Sequence, residues 1–231
     1  MKGLHSMQKR KILHYGLNRS GTNYLKEFLS RDFHLSFENR EDARNHPLHK
    51  HFRLYEKKEL IGRPNFKNEL IIPTFKEFEK IVSDDIQVDI YVVISKDPYS
   101  WNLSYSRWGT KNNWESSPHP YILEYNEFYK KWYEFSLQSE KIMLIKYIDL
   151  LRSPEKIRTK FSNQFKIKAR KDTASRDRIK KVPMSRRFSS SRLNYYLEEK
   201  YLDAYSQQEL DELNQFIDHD LIEKLGYSSH F

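Results

Sequence analysis

Near the amino end the apolar run Lys11-Ile12-Leu13-His14-Tyr15 leads into Gly16-Leu17-Asn18-Arg19-Ser20-Gly21-Thr22-Asn23-Tyr24-Leu25. The run reads as a buried strand, and the residues after Thr22 read as the start of a helix. The tight turn between them carries glycine, arginine, serine and glycine. Such a turn aims the unpaired N–H groups of a helix N-terminus at one point, where phosphate is the natural guest. The ATP- and GTP-binding version of this loop needs G-x-x-x-x-G-K-[ST], and no lysine follows Gly21. Arg19 supplies the positive charge from within the turn instead. The Ser20 and Thr22 hydroxyls can cap the helix and still face the same anion.

Two further segments bear chemistry of the same kind. Val88 to Ser95 is followed by Lys96, and Asp97-Pro98 then provides an N-cap and a first helical residue, with Ser104 beyond. Lys141 to Tyr147 reads as a strand running into Ile148-Asp149-Leu150. Histidines gather in His46-Pro47-Leu48-His49-Lys50-His51-Phe52, where a general base could be drawn from His51, His49 or the nearby Glu38. The same histidines could bind zinc, but no convincing fourth ligand accompanies them. His14 lies within the first strand and reads as a satisfied core residue.

The elements that would position these residues follow from periodicity. Tyr24, Leu25, Phe28 and Leu29 fall at helical spacing, Arg31 to Pro47 is polar and irregular, and Lys50 to Glu56 alternates as a short strand would. Gly62-Arg63-Pro64-Asn65 is a turn, and Thr74 with Glu77 forms a capping box opening a helix towards Val82. Val88 to Ser95 is apolar almost throughout, as a parallel strand covered on both faces requires. Tyr121 to Ser139 and Pro154 to Phe165 read as helices, Ile167 to Arg187 as a basic loop, and Asn194 to Gly226 as short helices ended by Gly226. Trp101, Trp108, Trp114, Tyr99 and Tyr105 suggest a sugar-stacking platform, although most should pack a helix against the core. Strands alternating with helices predict one α/β domain over residues 1–231, a three-layer sandwich around a parallel sheet. Its ligands would bind at the carboxyl ends of the strands.

Composition narrows the partners. Lysine and arginine number 41 against 32 acidic residues, a surplus of nine in 231 residues, which favours an anionic ligand. A solvated basic face accounts for most of that charge, so nucleic acid is disfavoured as a partner. No apolar run approaches the roughly 20 residues of a membrane span. Met1 to Lys11 is basic without an apolar core, so neither leader nor anchor is expected. The absence of cysteine excludes thiolate chemistry and suits a reducing cytoplasm, the expected location.

With three strand ends in this order, the chain resembles the sulfotransferase family that uses 3′-phosphoadenosine 5′-phosphosulfate (PAPS), in its bacterial form with a P-loop-like fold. Arg19-Ser20-Gly21-Thr22-Asn23 matches the family loop [KR]-S-G-T-[TSN], which holds the 5′-phosphosulfate. Lys96, Pro98 and Ser104 match a signature in which a strand-end base and a serine eight positions on bind the 3′-phosphate. Lysine here replaces the commoner arginine and offers a point charge in place of a planar fork. Tyr147-Ile148-Asp149-Leu150 keeps the Tyr and Asp of the family's Tyr-Glu-Asp-Leu and lacks its Glu. His51 best fits the family's base, and Arg186 and Arg187 are candidates for further 3′-phosphate charge, although the family's Arg-Lys-Gly is missing.

The resemblance implies transfer of a sulfonyl group from PAPS to a hydroxyl or amine on a carbohydrate, leaving adenosine 3′,5′-bisphosphate (PAP), with no metal required. Two other readings stay open at this point. One is a P-loop kinase using ATP. The other is a non-enzymatic module that binds anionic glycan or nucleic acid through the basic stretch.

Overall fold

Ile90–Ser95 is buried at every position, which requires cover on both faces, and the chain supplies it. The computed structural model describes residues 9–42, 45–54, 60, 72–114, 117, 119–170 and 190–230. In order, the strands are β1 (Arg10–Tyr15), β2 (Leu35–Phe37), β3 (Ile90–Ser95) and β4 (Ile142–Lys146). The helices are α1 (Thr22–Asp32), α2 (Phe75–Asp85), α3 (Pro98–Lys111), α4 (Ile122–Gln138), α5 (Tyr147–Arg152) and α6 (Pro154–Phe165). They are followed by α7 (Ser190–Leu197), a 3-10 turn at Leu202–Ala204, α8 (Gln207–Asn214) and α9 (His219–Lys224).

All pairings are parallel, in the order β2-β1-β3-β4. Tyr15 is level with Val93, and Ser95 with Lys146, so the strands finish along one edge. Because the chain leaves β1 for β2 on one side and passes to β3 on the other, a crevice opens between β1 and β3 at that edge.

Alternation along the strands divides the core in two. Leu13, Tyr15, Tyr91 and Val93 face Phe75, Phe78, Trp132 and Phe135 of α2 and α4. Ile12, Ile90, Val92, Ile94, Met143 and Ile145 face Leu25, Phe28 and Leu29 of α1, with Ile157 and Phe161 of α6. The result is a three-layer α/β sandwich. Local signals set its boundaries: the Thr74–Glu77 capping box opens α2, and the Asp97 carboxylate accepts from the Ser100 amide at the head of α3. Gly226, at φ 80°, lets Tyr227 N–H reach Ile222 O at 2.8 Å and closes α9. Trp101, Tyr99 and Tyr105 are buried, so these aromatics build the core and not a sugar platform.

The structure departs from periodicity in four places. Leu35–Phe37, inside a segment that reads as irregular, is the edge strand β2; three residues are too few to show alternation. Residues 50–54 form no strand and lie as a turn and extended chain against the core, their burial coming from side-chain anchors. Tyr147 does not end a strand but begins α5. The helix expected from Asn194 begins at Ser190. The turn at residues 62–65 lies outside the described residues.

His14 is buried, its ring edge-on to Phe37 at 5.4 Å. Its main chain is paired by the Asn39 side chain, which accepts from His14 N–H at 3.0 Å and donates to His14 O at 3.1 Å. The ring is not satisfied as expected: neither nitrogen has a hydrogen-bond partner among the described residues. Burial, reinforced by the Lys50 ammonium, lowers its pKa from 6.5 to about 3. A depressed histidine gives stability that is complete above the unfolded-state pKa and lost as pH falls towards the folded one. Unfolding free energy should therefore drop by about 2 kcal/mol between about pH 7 and pH 5 through this group. Urea titrations of His14→Phe, which keeps the Asn39 clasp, should show that part of the slope gone.

Candidate functional site

Gly16 opens the turn after β1. A Cβ there would sit 2.4 Å from Ser20 Oγ and 2.7 Å from Ile94 O, so only glycine fits. Its N–H donates to Lys50 O at 3.2 Å, and its carbonyl accepts from His51 Nδ1 at 2.6 Å. Leu17 N–H reaches the Tyr129 hydroxyl at 3.4 Å, and that hydroxyl donates to Ile94 O at 2.9 Å, linking the turn to β3. The Trp101 indole N–H donates to Asn18 O at 2.9 Å. The backbone is thus pinned from three directions.

Within the turn, Arg19 has φ 71° and Gly21 φ 99°. Two left-handed residues nearly in succession curl the chain so that successive amides turn inwards. Gly21 is the N-cap of α1, and no side chain caps that helix. The capping role open to Ser20 and Thr22 is therefore not taken, although both are buried. The first-turn N–H groups carry the positive end of an eleven-residue helix without a side-chain acceptor.

Arg19 is exposed, and its Nε donates to Ser104 Oγ on α3 at 3.3 Å. This contact joins the first two predicted segments. Lys96, at the end of β3, is 5% exposed. Its Nζ donates to Ser100 O at 3.3 Å and lies 4.8 Å from the centre of the Tyr196 ring. It forms no salt bridge among the described residues, and burial lowers its pKa. The adjacent Asp97 carboxyl is pushed up to about 6 by burial. Tyr147 lies against the loop: a Cβ on Gly21 would meet its ring at 2.6 Å. Asn23 accepts from Lys50 Nζ at 3.2 Å.

His51 is buried beside Gly16, with its edge towards the His49 ring 5.5 Å away. Its carbonyl accepts from the Arg53 guanidinium at 2.5 Å, and Arg53 forms a fully buried ion pair with Glu124 of α4. The Tyr105 hydroxyl donates to the other Glu124 oxygen at 2.9 Å. Glu38 enters through its backbone, its N–H donating to Ile12 O. Arg186 and Arg187 lie outside the described residues.

Four contributors escaped the sequence reading: Tyr196, Arg192, Arg107 and, as more than a neighbour of His51, Lys50. On α7, Tyr196 stands between Lys96 and Arg192: burial raises its phenol pKa, yet these two cations bring it below the ordinary value. Arg107, one turn beyond Ser104, opposes the rise that burial gives the Tyr195 phenol. Arg192 was hidden because it looked like the tail of the basic stretch; the apolar pair Tyr195-Tyr196 was the available signal. Lys50 was visible only as the neighbour of His51, yet it reaches both Asn23 and, at 2.6 Å, Glu41. The site can hold an elongated anion, with cations from the turn, from β3 and from α7.

No family model and no curated protein matches the sequence. Among solved structures, the chain is similar to the crystal structure of mouse sulfotransferase SULT7A1 complexed with PAP. Identity is 13%, the match covers 96% of this chain and 86% of that one, and the TM-score is 0.50. At this identity the likeness is one of fold.

The left-handed backbone at Arg19 gives a test of what the turn costs. Arg19→Gly should raise the unfolding free energy by about 0.5–1 kcal/mol, whereas Arg19→Ala should not, because only glycine relieves the strain. Chemical denaturation of the two variants side by side distinguishes them.

Proposed function

We propose that this protein is a sulfotransferase that moves a sulfonyl group from PAPS to a hydroxyl or amine, with a carbohydrate as the acceptor class. The observation that carries the reading is the 3.3 Å contact between Arg19 Nε and Ser104 Oγ. It joins the Arg19 turn to the Lys96–Ser104 segment across the β1–β3 crevice, which supports reading the two as one donor site. The electrostatics support it: Lys96 is a buried cation without a salt-bridge partner among the described residues, an arrangement that costs several kcal/mol unless an anion completes it. The sulfotransferase of similar fold was crystallised with PAP.

On this reading, Arg19, Ser20, Gly21, Thr22 and Asn23 hold the 5′ side of the donor. Lys96, Ser104 and Arg192 hold the 3′-phosphate, and Tyr147 backs the loop. His51 takes the proton from the acceptor. The acceptor oxygen or nitrogen forms a bond to sulfur as the bond from sulfur to the 5′-phosphate oxygen breaks, and that oxygen keeps the electron pair in PAP. Charge accumulates on the sulfonyl and phosphate oxygens, where the Arg19 guanidinium and the α1 amides stabilise it. A cytoplasmic setting and the glycan-acting bacterial type belong to the same proposal; no described helix is long and apolar enough to cross a membrane.

Calorimetry with PAP and with ATP tests donor choice. PAP should bind and ATP should not compete at equal concentration; the reverse order would point to a kinase. Arg19→Ala should weaken PAP binding by about 1.5–3 kcal/mol through one lost charge-assisted contact. Lys96→Met should abolish it while leaving the fold at least as stable, since a buried charge is removed. Retained PAP binding in both variants would overturn the site, as would salt-sensitive glycan binding indifferent to Arg19. Labelled donor tested against saccharides and phenols should mark a saccharide.

A further inference from the structure

We propose that Gly16 is a positioning residue whose carbonyl fixes the tautomer of His51, so that Nε2 is the atom that takes the acceptor proton. This rests on the reading of His51 as the base. A carbonyl oxygen can only accept, so at 2.6 Å the Nδ1 of His51 must carry the hydrogen. In the neutral ring, the lone pair then belongs to Nε2. After proton transfer the ring is an imidazolium, and its Nδ1–H still faces the carbonyl dipole, which favours the charged form. The bookkeeping closes: the acceptor O–H or N–H bond breaks, its proton goes to Nε2, and its electron pair attacks sulfur.

The carbonyl belongs to the residue that opens the phosphate loop. Gly16 is gripped from both sides by one dipeptide, its N–H by Lys50 O at 3.2 Å and its carbonyl by the His51 ring. No side chain can be added to it without striking Ser20 or Ile94. The loop and the imidazole are therefore cross-linked at a residue that cannot shift independently. Arg53, held by Glu124, secures the other side of His51 through its carbonyl at 2.5 Å. The base is thus registered to the donor loop by hydrogen bonds that do not involve the acceptor.

The test is long-range proton–nitrogen correlation NMR on the full-length, nitrogen-15-labelled protein, at a pH where the ring is neutral. His51→Gln identifies the cross-peaks by their loss. Expected are a pyrrole-like shift at Nδ1 and a pyridine-like shift at Nε2, with kcat in His51→Gln lowered about 100-fold or more and PAP affinity unchanged. A pyrrole-like Nε2 overturns the inference even where His51→Gln is inactive, and leaves the base reading standing. The expected tautomer with undiminished transfer in His51→Gln overturns both, since the ring would then be merely structural.

Discussion

The fully buried ion pair between Arg53 and Glu124 is the constraint on which one side of the crevice depends. A guanidinium in the core is tolerable only when its donors are matched. Here Glu124 and the His51 carbonyl accept from it, and Tyr105 completes the carboxylate. Removing either charge would strand the other at a cost of about 3–5 kcal/mol. The segment it anchors has no ladder to hold it. Residues 51–54 are buried without being a strand, with Phe52 and Leu54 in the core. Side-chain bonds to α3 and α4 do what sheet pairing does for the remaining strand ends, and they deliver Lys50 and His51 to Gly16.

The same two helices cross-brace the crevice. Tyr129 of α4 spans Leu17 and Ile94, Trp101 of α3 holds Asn18, and Tyr125 of α4 donates to Lys96 O at 2.8 Å. Each bond ends on a main-chain group at or just beyond a strand end, so each fixes where the backbone runs without using the side chains of the turn. That explains how an exposed Arg19 on a left-handed residue still meets Ser104. The position is set by buried aromatics whose hydroxyl and indole groups are spent on the loop.

Much of this was legible in residue order. β1 with its turn, the continuous apolar run of β3, the Thr74 and Asp97 caps and the Pro154–Phe165 helix all announce themselves locally, because caps and periodicity are local signals. Arg19 could be named from turn chemistry, whereas Lys96 and Ser104 could be named only through the resemblance to a family signature. What failed was anything decided by distant contact. β2 is a strand only because β1 offers it an edge, and residues 50–54 alternate like a strand but pair with none of the described strands. Glu124 reads as a surface residue of an amphipathic helix, and only its meeting with Arg53, far away in sequence, buries it. Arg192 and Tyr196 belong to the site because α7 folds back over Lys96, which no local pattern encodes.

Two buried cations among the described residues meet opposite fates, and the contrast bears on what the crevice is for. Arg53 is closed in by a carboxylate, a carbonyl and an apolar wall, so its charge is met within the protein. Lys96 is almost as removed from water, yet it faces a carbonyl, a phenol and the opposing fields of the Arg19 guanidinium and the Asp97 carboxylate, and it forms no salt bridge among the described residues. The carboxylate nearest in sequence, Asp97, is turned to the helix amide of Ser100. Evolution of a stable core alone would favour an apolar residue here, since an uncompensated ammonium only costs stability. Its presence makes sense if an anion supplies the missing charge. The phenol of Tyr196 sits below its ordinary pKa because Lys96 and Arg192 outweigh the opposing effect of its burial.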